Sequence, residues 1–424
     1  MKIHIDLDCF FVSAERTVDA TLIGKPVGVG GRSDTNIFDK QKDTTEISLA
    51  NSGAFVPTFF QVDAKQSNNL NHFIDENGRI RGILTTCSYE ARAYDIKTGT
   101  TINEALQKCP DLIIKKPNMK LYQHCSHELR VFLEARIPLL EQASIDEFYG
   151  DLKGWVKESE VGKFIHQLKL EINQTLNLPV SIGAAQSKYT AKMATNAAKP
   201  FGTRVILIDE VNTFIEHLPI REFPGIGRKT ATKLQMYGLK TLGDIRRERH
   251  IFLGKTKSVY ELYERVCGID TTPIKTENIR KSIGISRTFD PLMNRKEALR
   301  RVSILARHLS YAILRIGVNP THFHLGIRYE LGKSAKKEIS THRIFSEQLL
   351  HKLMYEAFIQ SDNSSTFAII RLSISSSNFT QYTHQTLSLI EYELDESRHT
   401  LSLANNNLRE KYGIDTIRFG NELL

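Results

Sequence analysis

Alternation of period two opens the chain. Over residues 2–8, Ile3, Ile5 and Leu7 fall on one side and His4, Asp6 and Asp8 on the other. This predicts a strand with one face in a core and one face at a site. A helical start follows at Phe10-Phe11-Val12-Ser13-Ala14-Glu15. Consecutive helical residues diverge by about 100°, so at least one of the two rings is expected to face the acids. Residues 24–29 read as a turn and a second strand, 81–87 as a further strand, and 88–94 as a helical turn at its end. Helical periodicity covers 101–108 and 119–135, a strand 180–183, and a helix 186–194. An apolar run starting at Leu139-Leu140 is interrupted by Asp146-Glu147 and resumes at Phe148-Tyr149. Between Gly30 and Gly78 the pattern fails: polar residues dominate, broken by one apolar patch at 54–60, as in an inserted surface segment.

The second half of the chain patterns differently. Residues 223–231 (FPGIGRKTA) predict a junction between two helices, where glycines let the backbone approach a phosphate and the next helix points its N–H groups at it. The stretch 271–281 is polar and basic and reads as a tether. Beyond it come a strand (282–289), a long amphipathic helix (295–316), strands near 321–329 and 336–344, a helix (346–358) and a strand (366–374). That order is β-α-β-β-α-β, and the chain as a whole is α+β and multidomain.

Composition narrows the setting. The chain has 424 residues and a net charge of +9, with 41% hydrophobic residues to build cores. A basic, well-cored chain of this length is expected to hold several domains and to meet polyanions. Cys9, Cys87, Cys109, Cys125 and Cys267 are odd in number and lack CxxC spacing, which argues against a disulfide framework and a zinc site. No apolar run is long enough to span a membrane, and the charged start is unlike a signal peptide. The expected location is the cytoplasm.

Candidate chemistry centres on the acids. Neighbouring residues of a strand point to opposite faces, so Asp146 and Glu147 converge on one object only at a bend such as a hairpin tip. A lone pair there would read as a solvated turn; a third carboxylate on the first strand points instead to a cation. Asp6 and Asp8 are separated by roughly 6.6–6.8 Å along the strand, so one of them is expected to be structural. Carboxylate ligation with room for phosphate oxygens suits magnesium and two-metal phosphoryl or nucleotidyl transfer. Tyr89 and Arg92, three apart on a helical turn, share a face and could grip phosphate together.

Taken together, Asp6-Leu7-Asp8-Cys9-Phe10-Phe11, Tyr89-Glu90-Ala91-Arg92, Ser144-Ile145-Asp146-Glu147, Lys192 and Lys199-Pro200 resemble a Y-family translesion DNA polymerase of the bacterial DNA polymerase IV type. The resemblance implies a right-hand polymerase. Its palm would take residues 1–10 and 119–200, its short fingers 11–118 with an insertion at about 31–79, and its helical thumb 201–270 with a helix-hairpin-helix. A linker (271–281), a little finger (282–378) and a C-terminal tail (379–424) would follow. Asp6, Asp146 and Glu147 would be the catalytic acids, holding two Mg2+ ions with the Leu7 carbonyl. Phe11 would be the steric gate against a 2′-hydroxyl, with Phe10 as the alternative ring. Thr86, Tyr89, Arg92 and Lys192 would contact the triphosphate, and Gly225, Gly227, Arg228 and Lys229 the DNA backbone. Partners would be primer-template DNA, deoxynucleoside triphosphates and a sliding clamp, the chain itself being a monomer. The clamp would meet Gln385, Leu387, Leu389 and Ile390, a Gln followed by spaced apolar anchors. The tail from Glu393 also resembles the polymerase V catalytic subunit type. The insertion departs from the family pattern. Two other readings are a palm-type nucleotidyl cyclase and a catalytically silent DNA-binding paralogue.

Overall fold

A computed structural model describes residues 1–31, 36–38, 45–47, 59–61, 73–74, 78–270, 272–277, 279–380 and 390–423. The chain divides into two units. The first comprises Met1–Gly31 and Asn68–Asn278, the second Arg32–Ser67 and Ile279–Leu424. Along the chain, β1 (Lys2–Leu7), α1 (Phe10–Val18) and β2 (Val27–Gly31) belong to the first unit, and the short pair β3 (Thr45–Ile47) and β4 (Phe59–Gln61) to the second. The first unit resumes with β5 (Ile83–Cys87), α2 (Tyr89–Arg92), α3 (Ile102–Lys108), β6 (Ile113–Lys115), α4 (Met119–Glu134), β7 (Leu139–Gln142) and β8 (Glu147–Asp151). It continues with α5 (Val161–Leu176), β9 (Val180–Ala185), α6 (Lys188–Ala198), β10 (Thr203–Val205), α7 (Val211–Ile215), α8 (Arg228–Met236), α9 (Leu242–Arg247) and α10 (Lys257–Val266).

β1 lies at the centre of a five-stranded sheet, order β10-β9-β1-β8-β7, antiparallel to both of its neighbours. Directly opposed residues share a face, so His4, Asp6, Glu147, Tyr149, Ser181 and Gly183 lie together on one side. That face is not the open site that the alternation predicts. α6 covers its His4 end, and the approach depends on Gly183: a Cβ there would stand 2.3 Å from the Ala191 carbonyl oxygen and 2.3 Å from the Thr195 nitrogen. His4 is therefore 0% exposed and Asp6 only 5%. A second sheet, β5-β2-β6, carries α2 at the end of β5. Helices α7 to α10 close around a core of Ile215, Phe223, Leu234, Leu242 and Phe252 that is continuous with Ala191, Met193 and Ala194 of α6. Thr241 and Asp244 form a reciprocal capping box that starts α9.

The second unit holds β11 (Ser282–Leu292), α11 (Arg295–Ile316), β12 (Asn319–Tyr329), β13 (Ser334–Ser340), α12 (Glu347–Ser361), β14 (Ile369–Thr380) and α13 (Tyr392–Tyr412). Its antiparallel sheet has the order β11-β14-β12-β13. Asn294 caps α11 by accepting from the Lys296 and Glu297 amides, and Gly317 ends it in the left-handed region. Two expectations are corrected here, and the tail gains an element. The strand expected at 366–374 is β14 and runs on to Thr380, because residues 375–377 pair with both β11 and β12 and 379–380 with β12. The tail contains a 21-residue helix, α13, packed on α11 and α12. The segment expected in the fingers contributes Ile37 and Phe38 to the core of the second unit. There the Phe38 ring meets Phe289 edge-on and lies under the Arg301 guanidinium, and Arg300 donates to its carbonyl at 2.8 Å.

Candidate active site

β7 and β8 form the hairpin that two adjacent acids require. The Ala143 and Ser144 N–H groups donate to the Glu147 carbonyl at 2.9 and 3.3 Å, which closes the turn. The Leu7 N–H donates to the Asp146 carbonyl at 3.0 Å and so pins the end of β1 to the same turn. Asp6 stands directly across from Glu147 in the β1–β8 register. Two carboxylates opposed in this way repel. The repulsion is met by two lysines: Lys192 donates to both Glu147 oxygens at 2.7 Å, and Lys199 Nζ is 2.5 Å from Asp6 Oδ1. Asp146 has neither lysine; its Oδ1 accepts from Ser144 Oγ at 2.5 Å.

Of the two acids that the alternation pairs, Asp8 is the structural one, standing just past the end of β1 at Leu7. It accepts from Ser181 Oγ at 2.9 Å, from the Phe201 N–H at 2.7 Å and from the Tyr89 hydroxyl at 3.2 Å. The Tyr89 phenol is thus turned to Asp8, while Arg92, exposed, stacks its guanidinium 4.7 Å from the Tyr89 ring centre. The expected shared face exists, and its guanidinium rather than its phenol is presented to solvent. Thr86 is half-buried on β5, paired with Val29. Phe10 belongs to the core at 3% exposure, whereas Phe11 keeps a partly exposed ring. That ring is stacked on Tyr122 with centres 4.3 Å apart and planes 12° from parallel. Tyr122 is itself held by donating to Glu15 Oε1 at 2.7 Å.

Burial sets the electrostatics. It raises the Asp6 carboxyl, and Lys199 opposes without cancelling, leaving it at about 7. Burial also raises Asp146, with the Ser144 hydrogen bond acting against it and the Glu147 charge adding to it. Glu147 goes the other way: burial would raise it, but the His4 ring and the Lys192 ammonium bring it down to about 2. Of these two, the ammonium is in hydrogen-bond contact, whereas His4 Nε2 is 3.8 Å from Glu147 Oε2. His4 is lowered to about 4, chiefly by burial, and is neutral at physiological pH. One donor atom each from His4, Asp6 and Glu147 lie within 4.8 Å of one another, the single such grouping of three potential metal ligands among the described residues. Asp146 flanks this trio without entering it.

The helical junction expected to grip DNA is formed as read. Gly225 has φ +96, a conformation that only glycine adopts without strain, and Gly227 is the N-cap of α8. Arg228 and Lys229 are exposed at the first turn. In the tail, Gln385, Leu387 and Leu389 lie outside the described residues, and Ile390 is 96% exposed. Sequence reasoning assigned no role to His4, Ser144, Lys199 or Tyr122. His4 had a local signal, its position two residues before Asp6 on the same strand face, and Ser144 and Lys199 stood within the quoted motifs without a role.

Comparison with known proteins agrees with this architecture. Residues 5–196 match the impB/mucB/samB family, 209–239 the IMS family HHH motif and 280–411 the impB/mucB/samB family C-terminal domain. DNA polymerase IV of Ectopseudomonas mendocina is 28% identical over 318 residues, covering 74% of this chain and 78% of its own length. DNA polymerase IV of Oceanobacillus iheyensis is 27% identical over 420 residues, covering 98% of this chain and 90% of its own. Among solved structures, a Y-family DNA polymerase chimera of Dbh and Dpo4 superposes with a TM-score of 0.70 at 22% identity, over 90% of this chain and 99% of the other. Matched in consecutive parts from residue 5 to residue 411, the chain belongs to the impB/mucB/samB family.

Proposed function

We infer that the chain is a DNA-directed DNA polymerase of the translesion type, adding deoxynucleotides to a primer 3′ end opposite damaged template without proofreading. The observation that carries this reading is the convergence of Asp6, Asp146 and Glu147 at the end of β1 and the β7–β8 turn, in a chain of this family. Primer extension on intact and lesion-bearing templates tests it, and failure to extend either would overturn it.

The residues present fit a divalent cation. Three carboxylates offer hard oxygen donors, and Lys192 and Lys199 already place positive charge against two of them. Asp6, Asp146, Glu147 and the Leu7 carbonyl would hold two Mg2+ ions, which supply a lowered pKa at the primer hydroxyl and charge stabilisation at the leaving group. Once their carboxylates are otherwise neutralised, Lys192 and Lys199 are free to meet the triphosphate. Arg92 and Thr86 approach the same substrate from α2 and β5, and Tyr89 holds Arg92 by stacking while anchored on Asp8. Gly225, Gly227, Arg228 and Lys229 contact DNA phosphates, consistent with their exposure on the α8 turn. The protein works as a cytoplasmic monomer; among the described residues no helix is long and apolar enough to cross a membrane.

Phe11 selects the sugar. Its ring is backed by Tyr122, so it cannot retreat from a 2′-hydroxyl without unstacking. Phe11→Ala is expected to improve ribonucleotide use relative to deoxynucleotide use by at least about tenfold, the effect of ~1.4 kcal/mol. Single-turnover incorporation of CTP and dCTP measures it, and an unchanged ratio moves the gate elsewhere.

Gln385, Leu387, Leu389 and Ile390 bind the sliding clamp, a reading supported by their spacing and by the exposure of Ile390. Replacing Leu389 and Ile390 with Ala is expected to abolish stimulation by the clamp and to leave unassisted single-nucleotide addition unchanged. Equal stimulation of variant and parent would refute the assignment.

A further inference from the structure

The turn from α6 to β10, residues 199–202, is held by contacts from three other elements. Phe201 sits at φ +47, in the left-handed region where a bulky side chain is strained, and such strain persists only where the surroundings enforce it. Its N–H donates to Asp8 Oδ2 at 2.7 Å, and its carbonyl accepts from Lys169 Nζ on α5 at 3.0 Å. The same ammonium lies 4.3 Å from the centre of the Phe201 ring. Lys169 is only 7% exposed, and a cation so enclosed needs partners; Phe201 meets it with both a carbonyl and a ring face. The next residue leaves no slack. The Gly202 carbonyl accepts from the Ile182 N–H at 3.0 Å, and a Cβ on Gly202 would collide with the Ala198 carbonyl oxygen. Two residues before Phe201 stands Lys199, the C-cap of α6, whose Nζ reaches Asp6 Oδ1 at the acid cluster.

We propose that Lys169 and Phe201 are positioning residues for Lys199, fixing the turn from which its ammonium meets the triphosphate of the incoming nucleotide. The inference rests on the reading that Lys199 turns to the triphosphate, and adds to it a second lysine that acts through the backbone of Phe201. A lysine is a point charge on a flexible four-carbon stem, so where its ammonium can stand depends on where the backbone starts it. A misplacement of about 1 Å is enough to lose much of what such a group contributes. Asp8 then serves two phosphate-facing cations at once. Through the Tyr89 hydroxyl it holds the ring on which Arg92 stacks, and through the Phe201 N–H it holds the turn that carries Lys199.

The test is a double-mutant cycle on the full chain, read by single-turnover incorporation of thymidine triphosphate opposite template adenine, with Mg2+, over a range of nucleotide concentrations. Lys199→Ala is expected to raise the nucleotide Kd by about tenfold, the scale of one charge-assisted contact. Lys169→Met should raise it by about three- to tenfold in the parent and by less than about twofold in the Lys199→Ala background, because both changes remove the same contact. Lys169→Arg keeps the charge and a donor for the carbonyl and should restore most of the affinity. A role confined to stability would lower the fraction of active enzyme, which the reaction amplitude reports, and leave the Kd of the active molecules unchanged. Phe201→Gly accepts φ +47 without strain and lacks the ring; it should raise the Kd in the same direction, and it decides in place of Lys169→Met if that variant does not fold. An unchanged Kd in Lys169→Met, or an effect that adds in full to that of Lys199→Ala, would overturn the proposal and leave Lys199 at the triphosphate. An unchanged Kd in Lys199→Ala would overturn that reading and the proposal with it.

Discussion

Asp146→Asn is expected to lower single-nucleotide addition by at least about 10³-fold, the loss of roughly 4 kcal/mol of transition-state stabilisation that a displaced catalytic cation entails. Affinity for primer-template should stay within about threefold, since duplex binding is a sum of phosphate contacts elsewhere. Stability supplies a second readout with an opposite sign. The Asp146 carboxyl is raised by burial, partly relieved by the Ser144 bond and worsened by Glu147, so its ionised form is penalised in the folded chain. A raised carboxyl makes the folded state favour the neutral form, and Asn is permanently neutral. At neutral pH the variant should therefore melt no lower than the parent, while the parent alone should gain stability relative to it as pH falls towards the Asp146 pKa. Near-normal extension would remove Asp146 from the catalytic set. A marked fall in melting temperature would mean that its role is structural.

The second large effect is expected in the second unit. Arg409 on α13 and Glu347 on α12 are 1% and 2% exposed, with Arg409 Nη1 3.0 Å from Glu347 Oε2, and the rest of the guanidinium donates to the Ile417 carbonyl at 2.8 Å. Arg307 on α11 is equally enclosed, donating to Glu422 Oε2 at 2.8 Å and to the Ile414 carbonyl at 2.8 Å. These contacts hold the C-terminal residues against α11 and α12. Cutting one side of a buried pair leaves the other charge uncompensated and costs about 3–5 kcal/mol. Arg409→Ala should accordingly release α13, seen as faster hydrogen exchange of its amides and of the α12 start. Chemistry at the first-unit acids is expected to persist in single-nucleotide addition at 25 °C. The double variant Arg409→Met with Glu347→Leu should recover most of the loss, because it removes both charges together. Unchanged exchange in Arg409→Ala would show that apolar packing alone holds the helix.

Much of this protein is written in local periodicity. The alternation of residues 2–8, the 22-residue amphipathic stretch that becomes α11 and the Gly-Ile-Gly junction before α8 each carry their own conformational preference, and each forms where the pattern places it. The hairpin at Asp146-Glu147 was equally legible, since two adjacent acids can share an object only at a bend. Asp6 and Asp8, by contrast, fall on one side of the same alternation and are equivalent in sequence, although the strand ends at Leu7. Only the register opposing Asp6 to Glu147, and the Ser181 hydroxyl and Phe201 amide waiting for Asp8, separate ligand from anchor. The same holds for Lys199, for the contact of His4 with Thr195, and for Tyr122 behind Phe11, whose partners are remote in sequence. Residues 375–380 lie past the strand that the pattern ends at 374 until pairing of 375–377 with both β11 and β12, and of 379–380 with β12, extends it, and Phe38 read as part of an insertion until its ring entered the second unit's core. Periodicity reports what a segment prefers on its own; which charges are paired, and which rings are covered, is settled by neighbours that only folding brings near.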